Sequence, residues 1–244
     1  MTKVYFVTTG LREELSVVKQ VRPPRVLCSY WYFKNRPMED LIDTLGYRPE
    51  IMLDSGAYSA FTKGKKVNLL DYMEYIKVNE SYIDRYISLD VIGDGYLTKA
   101  FFEIMQHKGF DPVPVYHYGD DLEQLEGYIA GGAENVALGN TVGIKDKAVV
   151  ARWCADIHSK FPHITLHLLG SSSIKIVQSM SVDSCDSSAW YMMAVNGKPV
   201  EISGKTSEAK TCRAEANMRK IMEVFNETAI SLDNCNSERF NGQV

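Results

Sequence analysis

The chain has 244 residues, 45% apolar, 11% aromatic and 24% charged, with a formal net charge of −4. These proportions suit a globular protein with one large core and exclude a disordered chain, a collagen-like repeat and a disulfide-stapled miniprotein. Lys and Arg number 27 against 31 Asp and Glu, which argues against a surface that coats nucleic acid throughout and leaves room for a local basic patch.

In chain order, Met1–Gly10 carries one early lysine and a short apolar run, without the longer apolar core of a signal peptide. No stretch approaches the length of a membrane span, so no membrane partner is expected. Short runs rich in apolar or β-branched residues predict strands at Val4–Thr8, Arg25–Tyr30, Glu50–Asp54, Tyr86–Asp90, Val113–His117, Asn135–Gly139, Ile164–Leu169 and Met180–Asp183, with a weaker one at Pro199–Ile202. Between them, amphipathic spacing predicts helices over Leu69–Ile83, Leu97–Met105, Leu122–Ile129, Lys145–Ser159 and Ser207–Phe225. Asp120 or Asp121 is placed to cap the 122–129 helix, and Ser207 the last one. Residues 230–244 read as a flexible tail.

Strand and helix in repeated alternation indicate a parallel α/β fold. The length fits a (β/α)8 TIM-type barrel in a single domain, 1–244. A doubly wound sheet is the competitor, weakened by the absence of a Gly-x-Gly-x-x-Gly turn after the first strand. Whether residues 4–8 or 199–202 close the barrel is open at this level. Cys28, Cys154, Cys185, Cys212 and Cys235 form no C-x-x-C pair, so neither a zinc site nor a redox motif is signalled, and a cytoplasmic protein with reduced thiols is expected.

Barrel chemistry gathers at the C-terminal strand ends. The predicted strands end in Asp54, Asp90, His117, Gly139-Asn140, Gly170 followed by three serines, and Asp183. Each alone is an ordinary turn residue. Three aspartates and a histidine on one rim point to function, because carboxylates that repel one another at a buried site are costly. Such a set suits nucleophilic and acid/base chemistry at a glycosidic-type bond, or Mg²⁺ binding. Aldolase-type chemistry calls for a strand-end lysine, and none stands at these ends. His167, on an alternating strand and near His163, reads as a hydrogen-bonded core residue.

The string Leu53–Phe61 resembles the first aspartate segment of tRNA-guanine transglycosylases, Ser88-Leu89-Asp90 their second, Ala137–Asn140 their base-contacting glycine loop, and Leu168–Gly170 with Ser181–Ser184 the segment leading to their nucleophile. Residues 53–60, Pro114–His117, Ser181–Ser184 and Trp190 together are most similar to the related DNA-modifying branch. The resemblance implies exchange of guanine in DNA for a 7-deazaguanine through an aspartyl–sugar intermediate, with an RNA substrate as the alternative. It makes Asp183 the nucleophile and Asp54 the general acid/base. Asp90, His117, Gly139, Ser55, Tyr58 and Gly170 would contact the base. It implies no cofactor and no resident metal, since the cysteine cluster of the tRNA enzymes' zinc subdomain is missing. Lys63, Lys65 and Lys66, with Arg213 from a second basic concentration (Lys198, Lys205, Lys210, Arg219, Lys220), would grip the nucleic-acid backbone. A homodimer or helper proteins are possible partners in this scheme. An unrelated barrel hydrolase or lyase is the alternative outside the family.

Overall fold

The fold is that of a computed structural model, which describes residues 2–170, 177 and 180–230. The serines after Gly170 and the expected tail beyond Ile230 lie outside the described residues. Eight strands form one parallel sheet: β1 (Lys3–Thr8), β2 (Arg25–Ser29), β3 (Glu50–Asp54), β4 (Arg85–Tyr86), β5 (Val115–His117), β6 (Asn135–Gly139), β7 (Thr165–Leu168) and β8 (Ser184–Ser187). Their spatial order is β4-β3-β2-β1-β8-β7-β6-β5. The two ends of that order meet through a parallel bridge, Ile87 to Val113. There Ser88 N–H donates to the Val113 carbonyl and Val113 N–H to the Tyr86 carbonyl, both at 2.8 Å. The sheet is therefore a closed (β/α)8-type barrel.

The two-residue side-chain period of a strand separates two cores. Tyr5, Leu27, Met52, Ile87, Val115 and Ala137 fill the barrel interior. The alternate residues, such as Val4, Phe6, Val26, Ile51, Leu53 and Leu138, face the surrounding helices. Those helices are α1 (Arg12–Val21), α2 (Tyr30–Phe33), α3 (Met38–Leu45), α4 (Ala57–Phe61), α5 (Leu69–Val78), α6 (Gly95–His107), α7 (Leu122–Ala130), α8 (Lys147–Lys160), α9 (Ala189–Val195) and α10 (Ser207–Val224). Each of α5, α6 and α8 starts on a short polar side chain that accepts N–H bonds of the first turn: Asn68, Asp94 and Asp146. Helix α10 is capped by Thr206, one residue before the expected Ser207. Trp190 is fully buried and ties α9 to β1 by donating from Nε1 to the Val7 carbonyl at 3.1 Å.

Two strand expectations are corrected. Residues 199–202 form turns and bends, so the barrel closes through β1 paired with β8. The eighth strand is not Met180–Asp183 but the next four residues. Its sequence, Ser-Cys-Asp-Ser, is set by register rather than by β propensity: Lys3 pairs with Ser184, Val4 with Cys185, Tyr5 with Asp186 and Phe6 with Ser187. Ile230, placed in the expected tail, is anchored by its N–H to the Arg22 carbonyl at 2.9 Å.

Candidate active site at the barrel mouth

The shifted eighth strand reverses the place of one predicted site residue. Asp183 precedes β8 and stands at the N-terminal end of the barrel, exposed. Its Oδ2 accepts the Leu166 N–H at 2.8 Å and its carbonyl accepts the Lys3 N–H at 2.8 Å. It closes the bottom of the sheet, at the opposite end from Asp54, and cannot attack anything bound at the mouth. Asp186 holds the inward, C-terminal position instead. Val115, Ala137, His167 and Ser184 lie in register across β5 to β8. Two residues further on the same faces come His117, Gly139, Leu169 and Asp186.

Gly139, Leu169 and Asp186 open on a cleft of about 550 Å³, with His117 buried behind its wall. Asp54, Asp90 and Asp186 stand around its apolar floor of Val7, Leu27 and Leu169, with Gly139, Gly170 and the half-exposed Tyr58 at the wall. Glu14 adds a fourth carboxylate, its Oε2 accepting from Thr9 N–H at 2.7 Å and from the hydroxyls of Thr8 and Thr9 at 3.0 and 2.9 Å. No Lys or Arg lines the cleft among the described residues. A larger groove of about 740 Å³, between α2 and α5, contains none of the strand-end acids.

Asp54 and Asp186 are held by backbone N–H groups and Asp90 by side chains. After Asp54, Gly56 turns the chain at φ 76° and donates its N–H to Asp54 Oδ2 at 2.9 Å. A side chain at Gly56 would bring its Cβ within 2.5 Å of Trp31 Cβ, so only glycine fits. Ser55, fully buried behind the rim, donates to Asp90 Oδ1 at 3.1 Å. The Gly170 N–H donates to Asp186 Oδ1 at 2.8 Å. His117 Nε2 lies 3.5 Å from Asp90 Oδ2. A Cβ on Gly139 would fall 2.9 Å from the His117 ring, so this glycine makes room for the imidazole. His167 donates to or accepts from Ser184 Oγ at 2.9 Å through Nδ1. Its Nε2 is 3.4 Å from Asp186 Oδ1, off the hydrogen-bonding direction.

Burial, then the charges of Asp90 and Asp186, raise the Asp54 pKa from 3.8 to about 7, against a smaller lowering by the Gly56 N–H. A carboxyl that titrates near neutrality at the floor of a cleft is suited to take and return protons.

The structure thus brings together Asp54, Ser55, Asp90, His117, Tyr58, Gly139 and Gly170, and separates Asp183 from them. It adds Asp186 and Glu14, which sequence reasoning left out of the site, while His167 is a buried residue hydrogen-bonded to Ser184. Arg213 is not a backbone grip: it is buried, donating from Nε to the Ala194 carbonyl at 3.0 Å and from Nη1 to the Ile202 and Gly204 carbonyls at 3.0 and 2.9 Å. Lys63, Lys65 and Lys66 are exposed on the loop after α4, with the Lys63 ammonium 4.9 Å from the Tyr32 ring. Lys210 pairs with Glu13 and Arg219 with Glu215. No group of three His, Cys, Asp or Glu is arranged to hold a metal ion among the described residues, and no helix there is long and apolar enough to cross a membrane.

The closed parallel barrel defines the fold class of the chain. No family model and no curated protein matches it. Solved structures do. The YdjI aldolase from Escherichia coli K12 is 15% identical, with a TM-score of 0.53 over 92% of this chain and 91% of that one. An N-acetylneuraminate lyase from Mycoplasma synoviae is 12% identical, TM-score 0.54, over 92% and 82%. One from Fusobacterium nucleatum is 12% identical, TM-score 0.53, over 91% and 82%. At such identities the likeness establishes the barrel alone. It also corrects the resemblance drawn from the motifs: these neighbours are aldolases and lyases, not tRNA-guanine transglycosylases. With Asp183 at the far end of the barrel, the glycosyltransferase reading and its base-exchange reaction are withdrawn.

Proposed function

We propose that the chain is a lyase that breaks a carbon–carbon bond next to a hydroxyl and β to a carbonyl, by general acid/base catalysis with Asp54 as the proton acceptor. The observation that carries this reading is the half-buried Asp54 carboxyl, raised to about 7 by burial and by Asp90 and Asp186 at the floor of the cleft. The aldolase and lyase names of the barrels with similar folds support it. Asp54 takes the hydroxyl proton and the hydroxyl carbon becomes a carbonyl. The carbon–carbon bonding pair passes to the neighbouring carbon as an enolate, and a second acid of the cluster protonates that carbon. One proton is removed and one supplied. The described lining supplies the carboxylates of Asp54, Asp90, Asp186 and Glu14 for this chemistry. The same acidic lining favours a neutral hydroxy-carbonyl substrate over an anionic one.

The test is to incubate the protein in D₂O with a panel of neutral β-hydroxy ketones and aldehydes and follow products by NMR. Cleavage with deuterium at the former enolate carbon is expected, with kcat falling about 10²-fold or more in Asp54→Asn. No cleavage across the panel, or an Asp54→Asn variant as active as the parent, overturns the reading.

A further inference from the structure

Asp90 is gripped from the strands on either side of its own. Strand β4 pairs with β3, and the chain after it bridges to the residues leading into β5. From the β3 side, Ser55 donates from Oγ to Asp90 Oδ1 at 3.1 Å. Ser55 Oγ also accepts the Ala57 N–H at 3.3 Å, which leaves its own hydrogen for Asp90. From the β5 side, His117 brings Nε2 to hydrogen-bond with Asp90 Oδ2 at 3.5 Å. Ser55 is fully buried and His117 is 3% exposed, so water competes little at either contact. The ring is fixed in place. A Cβ on Gly139 would fall 2.9 Å from His117 Cδ2, the carbon beside Nε2, and the His117 N–H donates to Asp120 Oδ2 at 3.4 Å. Nδ1 lies 3.4 Å from that same oxygen without a hydrogen bond to it.

We infer that His117 is a positioning residue that carries hydrogen on Nε2 and, with Ser55, holds Asp90 as a carboxylate beside Asp54. A carboxylate only accepts hydrogen bonds, so the ring nitrogen bonded to it is the one with hydrogen. Donors on both oxygens favour the charged form, because a proton on either oxygen would set hydrogen against hydrogen. His117 is buried behind the cleft wall and acts only through Asp90, which lines the cleft. The consequence falls on Asp54. After burial, the charge of Asp90 does most to raise the Asp54 pKa to about 7. A neighbouring charge that does not lapse keeps Asp54 a base of near-neutral strength. In the lyase reading Asp90 therefore gives up no proton, and the acid that protonates the enolate carbon is another member of the cluster. Gly139 serves the same arrangement by leaving room for the Nε2 edge of the ring.

The catalytic part of this inference rests on the lyase reading; the states of His117 and Asp90 do not, and are measured without any substrate. With all five histidines labelled, ¹⁵N spectra at about pH 8 report which nitrogen of His117 is protonated, and His117→Asn or His117→Gln identifies its signals. Hydrogen on Nε2 is expected, and a ring with Nε2 bare overturns the inference. The hold on Asp90 is read at Asp54 by ¹³C-detected carboxyl titration. Asp90→Asn removes the charge, so the Asp54 midpoint should fall. His117→Asn and, independently, Ser55→Ala should move it in the same direction, since the Asp90 charge is then no longer kept in place. An imidazole that only fills space would leave the midpoint alone, and an unchanged midpoint in both folded variants overturns the inference. Circular dichroism checks that each variant is folded, and the parent ¹⁵N spectrum alone decides if neither folds. On any substrate found by the D₂O screen, His117→Asn should lower kcat about 10-fold or more with KM nearly constant. In an Asp90→Asn background the same substitution should change kcat less than about 2-fold, because the residue it acts through is gone. Equal losses in the two backgrounds overturn the catalytic part. An absence of turnover in the parent sinks the lyase reading and leaves the ¹⁵N and ¹³C results standing.

Discussion

Asp54 binds its proton more tightly in the folded chain than in an unfolded one, because folding places it half-buried beside two other carboxyls. A raised carboxyl pKa makes folding more favourable where the group is protonated. That contribution is full below about pH 4 and is lost as the pH rises through about 7. Asp54→Asn keeps the shape without the titration. The variant is therefore expected to gain stability over the parent between about pH 4.5 and pH 8, by on the order of 2 kcal/mol once partial solvent exposure is allowed for. Urea unfolding at both pH values measures this, and a difference between the two proteins that does not change with pH refutes it. Gly139 tests the other side of the cluster. Gly139→Ala sets a methyl 2.9 Å from the His117 ring and 3.1 Å from Val115 Cγ1. A cost of about 1–3 kcal/mol is expected, with a displaced imidazole visible in ¹⁵N spectra of the labelled histidines.

At the scale of the element, β8 decides which aspartate faces the cleft. Asp183→Ala removes only the acceptor for the Leu166 N–H at an exposed strand start, so a loss of about 1 kcal/mol in urea unfolding and an unaltered Asp54 titration are expected. Asp186→Ala removes a charge that raises Asp54, so the Asp54 pKa should fall, as ¹³C-detected carboxyl titration would show. The opposite pattern restores Asp183 to the mouth. The sequence reading found β3 and β6 at their observed bounds and β1, β2 and β7 to within a residue at either end, because their apolar runs begin and end where the pairing does. It missed β8 because Ser-Cys-Asp-Ser contains no β-branched or large apolar residue. Three of its four residues are polar, yet all four are buried, and their pairing with Lys3–Phe6 makes them a strand. The same cause hid Asp186. Asp54, Asp90 and His117 were legible because each ends or closely follows an apolar run. Arg213 misled for the converse reason: a helical arginine in a basic stretch reads as surface charge until the three carbonyls it binds are in view. Arg213→Met is expected to cost about 3 kcal/mol, and Lys63→Ala less than about 0.5 kcal/mol, in parallel urea titrations.

Across the whole molecule, the two ends of the barrel carry different duties. At the N-terminal end, Glu50 accepts the Tyr5 hydroxyl at 2.5 Å and meets Arg25 at 3.8 Å and Arg85 at 3.9 Å. Arg25 reaches Glu227 at 2.8 Å, which ties the chain beyond α10 to β1 and β2. Arg25, Arg85, Glu50 and Glu227 are paired there, whereas at the mouth carboxylates gather without a lining cation among the described residues, a cost to folding that the bottom and the two cores offset. The barrel is weakest where its ends meet. Strand β4 has two residues, and a single bridge between Ile87 and Val113 completes the ring, next to Ser88 and Asp90. Few ladder bonds there mean that local opening requires little of the structure to come apart. The Ser88 and Val113 amides are therefore expected to exchange hydrogen well before those of Val26 and Ile51, which sit in full ladders between β1, β2 and β3. Native-state hydrogen exchange followed by mass spectrometry reads this directly. Equal protection at the seam and in the central strands would show that the barrel opens only as a whole and that the short fourth strand is no hinge for the mouth.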